Sequence, residues 1–182
     1  SLESLIPFAP MHQPMAISTI KIMMEGYPHA THLACFDTAF HRTMPALAQR
    51  FAIPASLTAL GIKPYGFHGL SYQYIAQLLK KIYQGRLPER IIIAHLGSGA
   101  SMCGLLKGES VATSMTFTPL DGLPMSTRCG SIDAGAILYM ANALKIPTDN
   151  ISSLLQCESG LLGLSGISGD IRVLLASDDA RA

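Results

Sequence analysis

The chain has 182 residues, a size that allows one domain or parts of two. Its 13 basic and 12 acidic residues give a formal net charge of +1, which offers no electrostatic basis for binding nucleic acid or an anionic membrane. None of the four cysteines has C-x-x-C spacing, which argues against a zinc ribbon or a thioredoxin motif. Buried, reduced thiols in a cytosolic protein are the favoured interpretation.

The apolar composition predicts a piece of a larger assembly rather than a membrane protein. No signal peptide is recognisable, and the best apolar run, residues 134–144, is too short to cross a bilayer. Only 14% of the residues are charged, which is low for a free-standing domain and suggests faces that another segment covers.

The first third of the chain predicts a helix, a strand and two further helical segments. Residues 15–25 are expected to be helical, and residues 31–36 form a short apolar strand. Asp37 follows that strand, at the edge where ligands of open α/β sheets collect, although a turn or capping acid is the alternative. Thr38 is expected to cap a helix from Ala39 that ends before Pro54, and residues 56–60 add one more turn.

Another helix is predicted after His68. Ser71 is its expected N-cap, and its apolar face is formed by Tyr74, Ile75, Leu78, Leu79 and Ile82. His68 would then precede a helix N-terminus, where a phosphoryl group could bind. A histidine packed between aromatic residues is the alternative.

The most informative stretch is a strand that breaks into a glycine turn. Residues 91–95 predict a strand buried on both faces, and the turn Gly97-Ser98-Gly99 brings backbone N–H groups close to a possible ligand. Strands at residues 100–106 and 109–113 follow, so this is a hairpin and not a dinucleotide-binding strand–glycine–helix unit. A tight hairpin without a ligand is the alternative.

Residues 114–130 form a long loop with apolar residues, which favours a functional loop over a disordered one. The loop delivers Arg128 beside a helix start, as an anion site would require. A surface arginine paired with a nearby acid is the alternative. Helices are then expected at residues 133–145, from 148 or 150 to 155, and after an N-cap at Asp170, which an ordinary capping role would explain equally well.

Three runs resemble the acetate kinase family of short-chain acyl kinases. They are YGFHG at residues 65–69, HLGSGAS at 95–101, and TSMTFTPLDGL at 113–123 with TRCG at 127–130. They occur in the family's order, and the resemblance extends over nearly the whole chain. It implies an α/β, ribonuclease-H-like sugar-kinase/actin-type fold that is partial and lacks both ends. Residues 1–38 would be a remnant of the first lobe and residues 39–182 part of the second.

The resemblance also implies roles for individual residues. Asp37, His68 and Arg128 would be catalytic: the arginine binds equatorial oxygens of the transferring group, the histidine donates a hydrogen bond to it, and the aspartate orients the reacting groups or a magnesium-bound water. His12, in the run at residues 9–14, would face the acyl substrate, unless it is a solvent-exposed loop histidine. No metal ligand is assigned. The expected nucleotide-binding residues are His95, Leu96, Gly97, Ser98, Gly99, Asp170, Ile171 and Arg172.

Several positions depart from the family's common residues. Ser98 stands where asparagine is common, and Ser131 where aspartate is common. Leu70 and Tyr72 replace a common threonine and histidine. The changes at Ser98 and Ser131 cast doubt on full activity, and those at Leu70 and Tyr72 have no explanation in the sequence.

By resemblance, the expected reaction is the reversible, ATP-dependent phosphorylation of acetate to acetyl phosphate with Mg²⁺, in a cytoplasmic homodimer. A carboxylate is already ionised at pH 7, so catalysis must bring two anions together rather than remove a proton. Propionate or butyrate kinase is possible within the class. The rival hypothesis is a truncated, non-catalytic remnant with at most weak nucleotide binding.

Overall fold

The computed structural model describes residues 2–9 and 12–182, so Pro10 and Met11 of the expected substrate-side run lie outside the described residues. Two 3-10 helices, Leu2–Phe8 and Ala39–Thr43, accompany the regular elements. In chain order these elements are α1 (Gln13–Gly26), α2 (Ala55–Ala59), α3 (Gly69–Ile82), β1 (Arg90–Leu96), β2 (Ala100–Leu106), β3 (Glu109–Thr113), α4 (Ala134–Asn142), α5 (Thr148–Cys157), α6 (Gly160–Ser165) and α7 (Ile171–Leu175).

The three strands form one antiparallel sheet in the order β1-β2-β3. The predicted hairpin is confirmed, with Leu96 paired to Ala100 across the glycine turn. Lys107 and Gly108 connect β2 to β3 with φ angles of 53° and 86°. Two consecutive left-handed residues suit the right-handed twist of a hairpin, which explains this short connection.

Helix α3 packs on one face of this sheet and forms the main core. The buried residues of that core are Tyr72, Ala76, Ile93, Cys103 and Leu105. A smaller cluster lies beneath the long loop and consists of Ala100, Met115 and Met125, with Phe67 and Leu123 against it. The loop is therefore held by apolar contacts, as its composition predicts.

The prediction that residues 91–95 are buried on both faces is wrong. Ile93 is 8% exposed, whereas its neighbour Ile92 is 75% exposed. Successive side chains of a strand point to opposite faces, and among the described residues only the face that carries Ile93 is covered by α3.

The strand expected at residues 31–36 is also absent. This segment has no hydrogen-bonded strand partner among the described residues, and its side chains are exposed, with Leu33 at 85%. Because a strand exists only through its ladder, the apolar pattern alone could not produce one here.

The long helix expected from Ala39 is reduced to the 3-10 helix Ala39–Thr43. Met44 leaves the helical region with φ −56° and ψ 135°. Pro45 follows it, and the residue before a proline is disfavoured in the α conformation. Thr38 precedes the 3-10 helix but makes no side-chain capping bond.

Helix α3 begins earlier than expected, and its cap comes from a distant residue. Ser71 lies inside the helix rather than at its N-cap. The Asp37 carboxylate accepts hydrogen bonds from the backbone N–H groups of His68 at 2.6 Å and Leu70 at 3.4 Å. The predicted apolar face was only partly right, because Ile75 and Leu79 pack on the core while others remain exposed, including Tyr74 at 65%.

Helices α4, α5 and α7 form where helices were expected, although α4 ends at Asn142 rather than at residue 145. Asp133 caps α4 through Gly135 N at 2.6 Å, and Asp170 caps α7 through Arg172 N at 2.9 Å. Helix α6 had no counterpart in the sequence analysis. No helix within the described residues is both long and apolar enough to span a membrane.

Candidate functional site

The sequence-predicted catalytic residues line one cavity of about 680 Å³. Its polar lining includes His12, Asp37, His68 and Arg128, and Gly99 of the glycine turn also faces it. Apolar side chains, among them Phe67, Met115 and Phe117, form much of the remaining wall. The structure therefore brings together residues that are up to 116 positions apart in the sequence, from His12 to Arg128.

His68 and Arg128 approach Gly99 from the same side. A methyl group placed on Gly99 would lie 3.3 Å from His68 Nε2 and 3.4 Å from Arg128 Nη1. Both nitrogens thus border the same small volume beside the turn. A ligand oxygen in that volume could accept hydrogen bonds from both side chains.

Asp37 contributes to the site mainly through its bonds to α3. Its carboxylate lies at the N-terminus of that helix, where the helix dipole stabilises negative charge. The Asp37 carbonyl also accepts a bond from Gly69 N at 2.8 Å. Because a Cβ on Gly69 would collide with that carbonyl, glycine is needed for this close approach.

His68 is held by a backbone turn, a hydroxyl group and a second ring. Its backbone is left-handed, with φ 58° and ψ 22°. Its Nδ1 lies 2.7 Å from Ser101 Oγ, and its ring stacks on His95 with centroids 4.1 Å apart. Burial, followed by the nearby His95, lowers the pKa of His68 to about 4, with Asp37 opposing the shift. The imidazole is therefore neutral at pH 7.

Arg128 is half-buried, and the surface ion pair considered from the sequence is not formed within the described residues. Its Nη1 donates to the Pro119 carbonyl at 3.0 Å and contacts Met125 Sδ at 3.8 Å. Burial lowers the pKa of Arg128, but a guanidinium stays charged in proteins. A half-buried cation that faces a cavity without a carboxylate partner is suited to an anionic ligand.

His12 is exposed to solvent and is one of the residues that line the same cavity. Burial and the charge of Arg128 lower its pKa, whereas Asp37 raises it. The structure thus places His12 beside the other polar residues rather than on an unrelated surface loop.

The glycine turn contacts the end of the long loop. Gly97 N donates to the Gly99 carbonyl at 3.0 Å, and Ser126 N donates to the Ser98 carbonyl at 3.2 Å. Ser126 Oγ in turn donates to the Gly169 carbonyl at 2.6 Å. Through Ser126, the structure brings the expected phosphate turn close to the turn that precedes α7.

The other expected nucleotide residues are placed differently. His95 Nδ1 lies 3.0 Å from Ser71 Oγ, whereas Leu96 is 73% exposed. Asp170 caps α7 and pairs with Arg172 Nη2 at 2.6 Å on the surface. This pairing lowers the pKa of Asp170 to about 2. Ile171 is half exposed. Asp170, Ile171 and Arg172 do not line the cavity that holds Arg128, and Asp170 and Arg172 line a separate, open depression.

Sequence reasoning missed the hydroxyl groups behind His68. Ser101 is fully buried and lies between His68 Nδ1 and the hydroxyl of Tyr72. The available signal was the alternation of β2, which places Ser101 on the same face as the core residue Cys103. A polar residue at a core-facing position requires a buried partner.

The described residues do not form a complete metal site. They contain no group of three or more histidine, cysteine, aspartate or glutamate side chains that could hold a metal ion. Both Asp37 oxygens already accept backbone N–H bonds. The described residues by themselves therefore do not fit a Mg²⁺ site.

A cavity that combines a half-buried arginine, a neutral histidine and an adjacent glycine turn defines a candidate anion-binding, group-transfer site. The profile of the Acetokinase family matches residues 1–182, so the chain belongs to this family.

Curated relatives agree with this assignment. The acetate kinase of Methylocella silvestris is 50% identical over 181 residues, covering 100% of this chain and 45% of that protein. The acetate kinase of Rhodopseudomonas palustris strain TIE-1 is 50% identical over 183 residues, covering 96% of this chain and 44% of that protein. The chain thus spans about 45% of the length of these relatives.

Solved structures confirm the fold. A propionate kinase from Francisella tularensis matches with a TM-score of 0.92 at 38% identity, over 99% of this chain and 47% of that chain. The acetate kinase of Entamoeba histolytica matches with a TM-score of 0.86 at 37% identity, over 96% of this chain and 45% of that chain. The expected α/β fold of this family, present in part, is therefore confirmed.

Proposed function

We propose that the described cavity is the phosphoryl-transfer site of a short-chain acyl kinase that transfers the γ-phosphoryl group of ATP reversibly to acetate. The observation that carries this proposal is the convergence of Arg128 and His68 beside Gly99, with Asp37 and His12 on the same cavity. Membership of the Acetokinase family supports it.

The chemistry requires positive charge and hydrogen-bond donors more than a base. The acceptor carboxylate and the phosphoryl group are both anionic, and their repulsion is the main barrier that the protein can lower. Arg128 is a half-buried cation without a carboxylate partner in the described residues. It would bind oxygens of the transferring group and neutralise charge in the transition state.

His68 would donate a hydrogen bond from Nε2 to the same group. Its low pKa keeps the ring neutral at pH 7, so it acts as a dipolar donor and not as a second cation. Asp37 holds the backbone of His68 at 2.6 Å and thereby sets the position of the ring relative to the cavity. We assign Asp37 this orienting role rather than proton removal, since the substrate has no proton to lose at pH 7.

Nucleotide binding would use the backbone of the glycine turn. Gly97 and Ser98 are exposed beside the cavity, and Ser126 connects this turn to Gly169. Such a turn can offer N–H groups to the phosphates of ATP or ADP. Asp170, Ile171 and Arg172 follow Gly169 and would contact the adenosine. Mg²⁺ would compensate phosphate charge, with ligands that the described residues do not supply.

The acyl substrate would occupy the apolar part of the cavity, with His12 near its carboxylate. Phe117 and Pro119 are among the apolar lining residues. A small hydrocarbon chain suits such a wall, and the propionate kinase among the structural relatives keeps propionate or butyrate as the second candidate. We extend the proposal to a cytoplasmic homodimer, with residues 1–38 in the first lobe and residues 39–182 in the second.

The deciding experiment traps acyl phosphate with hydroxylamine after incubation with ATP, Mg²⁺ and acetate, propionate or butyrate. The chain is assayed beside a full-length protein that contains it. Hydroxamate formation by the full-length protein supports the proposal, and its absence with all three acids would refute it. Hydroxamate from the chain itself would reject the non-catalytic alternative. If the chain yields none, a rise in Tm with Mg-ADP would favour a remnant that binds nucleotide.

A further inference from the structure

Two buried hydroxyl groups lie behind His68 and face away from the cavity. Ser101 and Tyr72 are each 0% exposed, and neither lines the cavity. Ser101 Oγ lies 2.7 Å from His68 Nδ1, and the Tyr72 hydroxyl makes a short hydrogen bond to Ser101 Oγ. A hydrogen-bonded row of three side chains therefore runs from the core to the candidate site.

The direction of these hydrogen bonds follows from the need to satisfy each buried proton. If His68 donated from Nδ1 to Ser101, then either the serine proton or the tyrosine proton would have no acceptor in this row. If Tyr72 donates to Ser101 and Ser101 donates to His68 Nδ1, both hydroxyl protons are satisfied. Buried polar groups without a partner are costly and rare, so the second arrangement is favoured.

We propose that Ser101, whose hydroxyl is also the hydrogen-bond partner of Tyr72, is a positioning residue that holds His68 as the Nε2–H tautomer and so presents a hydrogen-bond donor to the cavity. The inference deepens, and rests on, the proposed role of His68 in binding the transferring group. Nε2 is the nitrogen that faces Gly99 and the volume beside Arg128. The opposite tautomer would direct a lone pair at an anionic oxygen and would repel it.

Because the groups around His68 favour a neutral ring, the position of its single proton decides whether Nε2 can donate a hydrogen bond. His95 stacks on the ring, and Arg128 and His12 also disfavour an imidazolium, whereas only Asp37 favours it. The ring is therefore neutral near pH 7. A neutral histidine can donate from Nε2 only when Nδ1 is kept free of a proton.

The test measures the tautomer directly by long-range ¹H–¹⁵N NMR of the ¹⁵N-histidine-labelled chain at pH 7. The spectrum of H68Q identifies the His68 signals by their loss. The parent is expected to show a protonated Nε2 and a bare Nδ1. Ser101→Ala removes the hydroxyl that donates to Nδ1, so the tautomer ratio should shift about tenfold towards Nδ1–H. Tyr72→Phe leaves Nδ1 as the acceptor of the Ser101 proton and should keep the parent tautomer. Tyr74→Phe, on the exposed side of the same helix, should leave the ratio unchanged.

A protonated Nδ1 in the parent, or an unchanged ratio in Ser101→Ala, would overturn the inference. If Ser101→Ala does not fold, the parent spectrum alone still decides the tautomer. Hydroxylamine trapping on the corresponding full-length proteins separates the two proposals. Trapping without the expected tautomer refutes the positioning role only, whereas the expected tautomer without acyl phosphate refutes the function only.

Discussion

Replacement of Gly99 by alanine would place a methyl group at the point where the candidate site converges. The new Cβ would lie 3.3 Å from His68 Nε2 and 3.4 Å from Arg128 Nη1. The backbone of Gly99 is not left-handed, so alanine introduces no conformational strain there. The substitution therefore tests occupancy of this volume rather than the fold of the turn.

The expected effect on activity is large and the effect on stability small. A ligand oxygen would need to lie about 2.7–3.1 Å from each donor, in space that the methyl group would fill. Loss of one preorganised donor typically lowers kcat by about 10²–10³-fold, so blocking two should lower it by at least ~10³-fold. The neighbouring side-chain atoms must give way by only a few tenths of an ångström, so the unfolding free energy should fall by about 1 kcal/mol, the low end of the cost of overpacking.

The assay is hydroxamate formation by the full-length protein, with Tm measured on the same samples. Gly104→Ala is the matched control, because its Cβ would lie 3.8 Å from Ala112 Cβ in ordinary contact on β2, away from the cavity. Turnover by Gly99→Ala close to the parent rate would refute the convergence argument. An equal loss in Gly104→Ala would show that the effect is not local.

Three further outcomes are expected. Arg128→Ala should lower kcat of the full-length protein by about 10³-fold or more with little change in Tm, since the guanidinium would act on the transition state. Gly66→Ala should destabilise the chain by several kcal/mol in urea unfolding, ~1–3 of them from strain at φ +86°, because its Cβ would also collide with the buried His41 ring. Acidification from pH 6.5 towards 4 should lower the unfolding free energy, because the unfolded chain protonates His68 first while its folded pKa is about 4.

Each of these three predictions has a control. Arg86→Ala removes an exposed arginine of the α3–β1 connection and should keep the parent turnover. Gly26→Ala adds a methyl group in open space at the end of α1 and should not destabilise. His68→Gln should weaken the dependence of unfolding free energy on pH between 4 and 6.5, and the remainder is expected because the pKa values of His12 and His41 are also lowered. A dependence as steep as that of the parent would assign the effect to groups other than His68.

Local patterns were predictable from the sequence because their partners are close in the chain. The hairpin around Gly97 and Gly99, the turn at Lys107 and Gly108, and the caps at Asp133 and Asp170 each depend on residues within a few positions. The early end of the 3-10 helix at Thr43 also had a local signal in Pro45, which the sequence analysis did not use.

Long-range partners accounted for two other predictions that failed. Helix α3 starts at Gly69 because Asp37, 31 residues before His68, supplies the cap in place of Ser71. The faces of β1 differ because α3 covers only one of them, which a run of apolar residues cannot reveal.

The candidate site, like the fold, was predictable from the sequence only in part. The motifs around His68, Gly99 and Arg128 were recognisable in the sequence by family resemblance, and with them the expected chemistry. Only the tertiary structure placed these residues on one cavity and put Ser101 and Tyr72 behind the histidine. The physical reason is the distance along the chain between interacting residues. Turns and caps depend on the dihedral angles of neighbouring residues, whereas a buried hydroxyl group forms its hydrogen bond only after helix and sheet have packed.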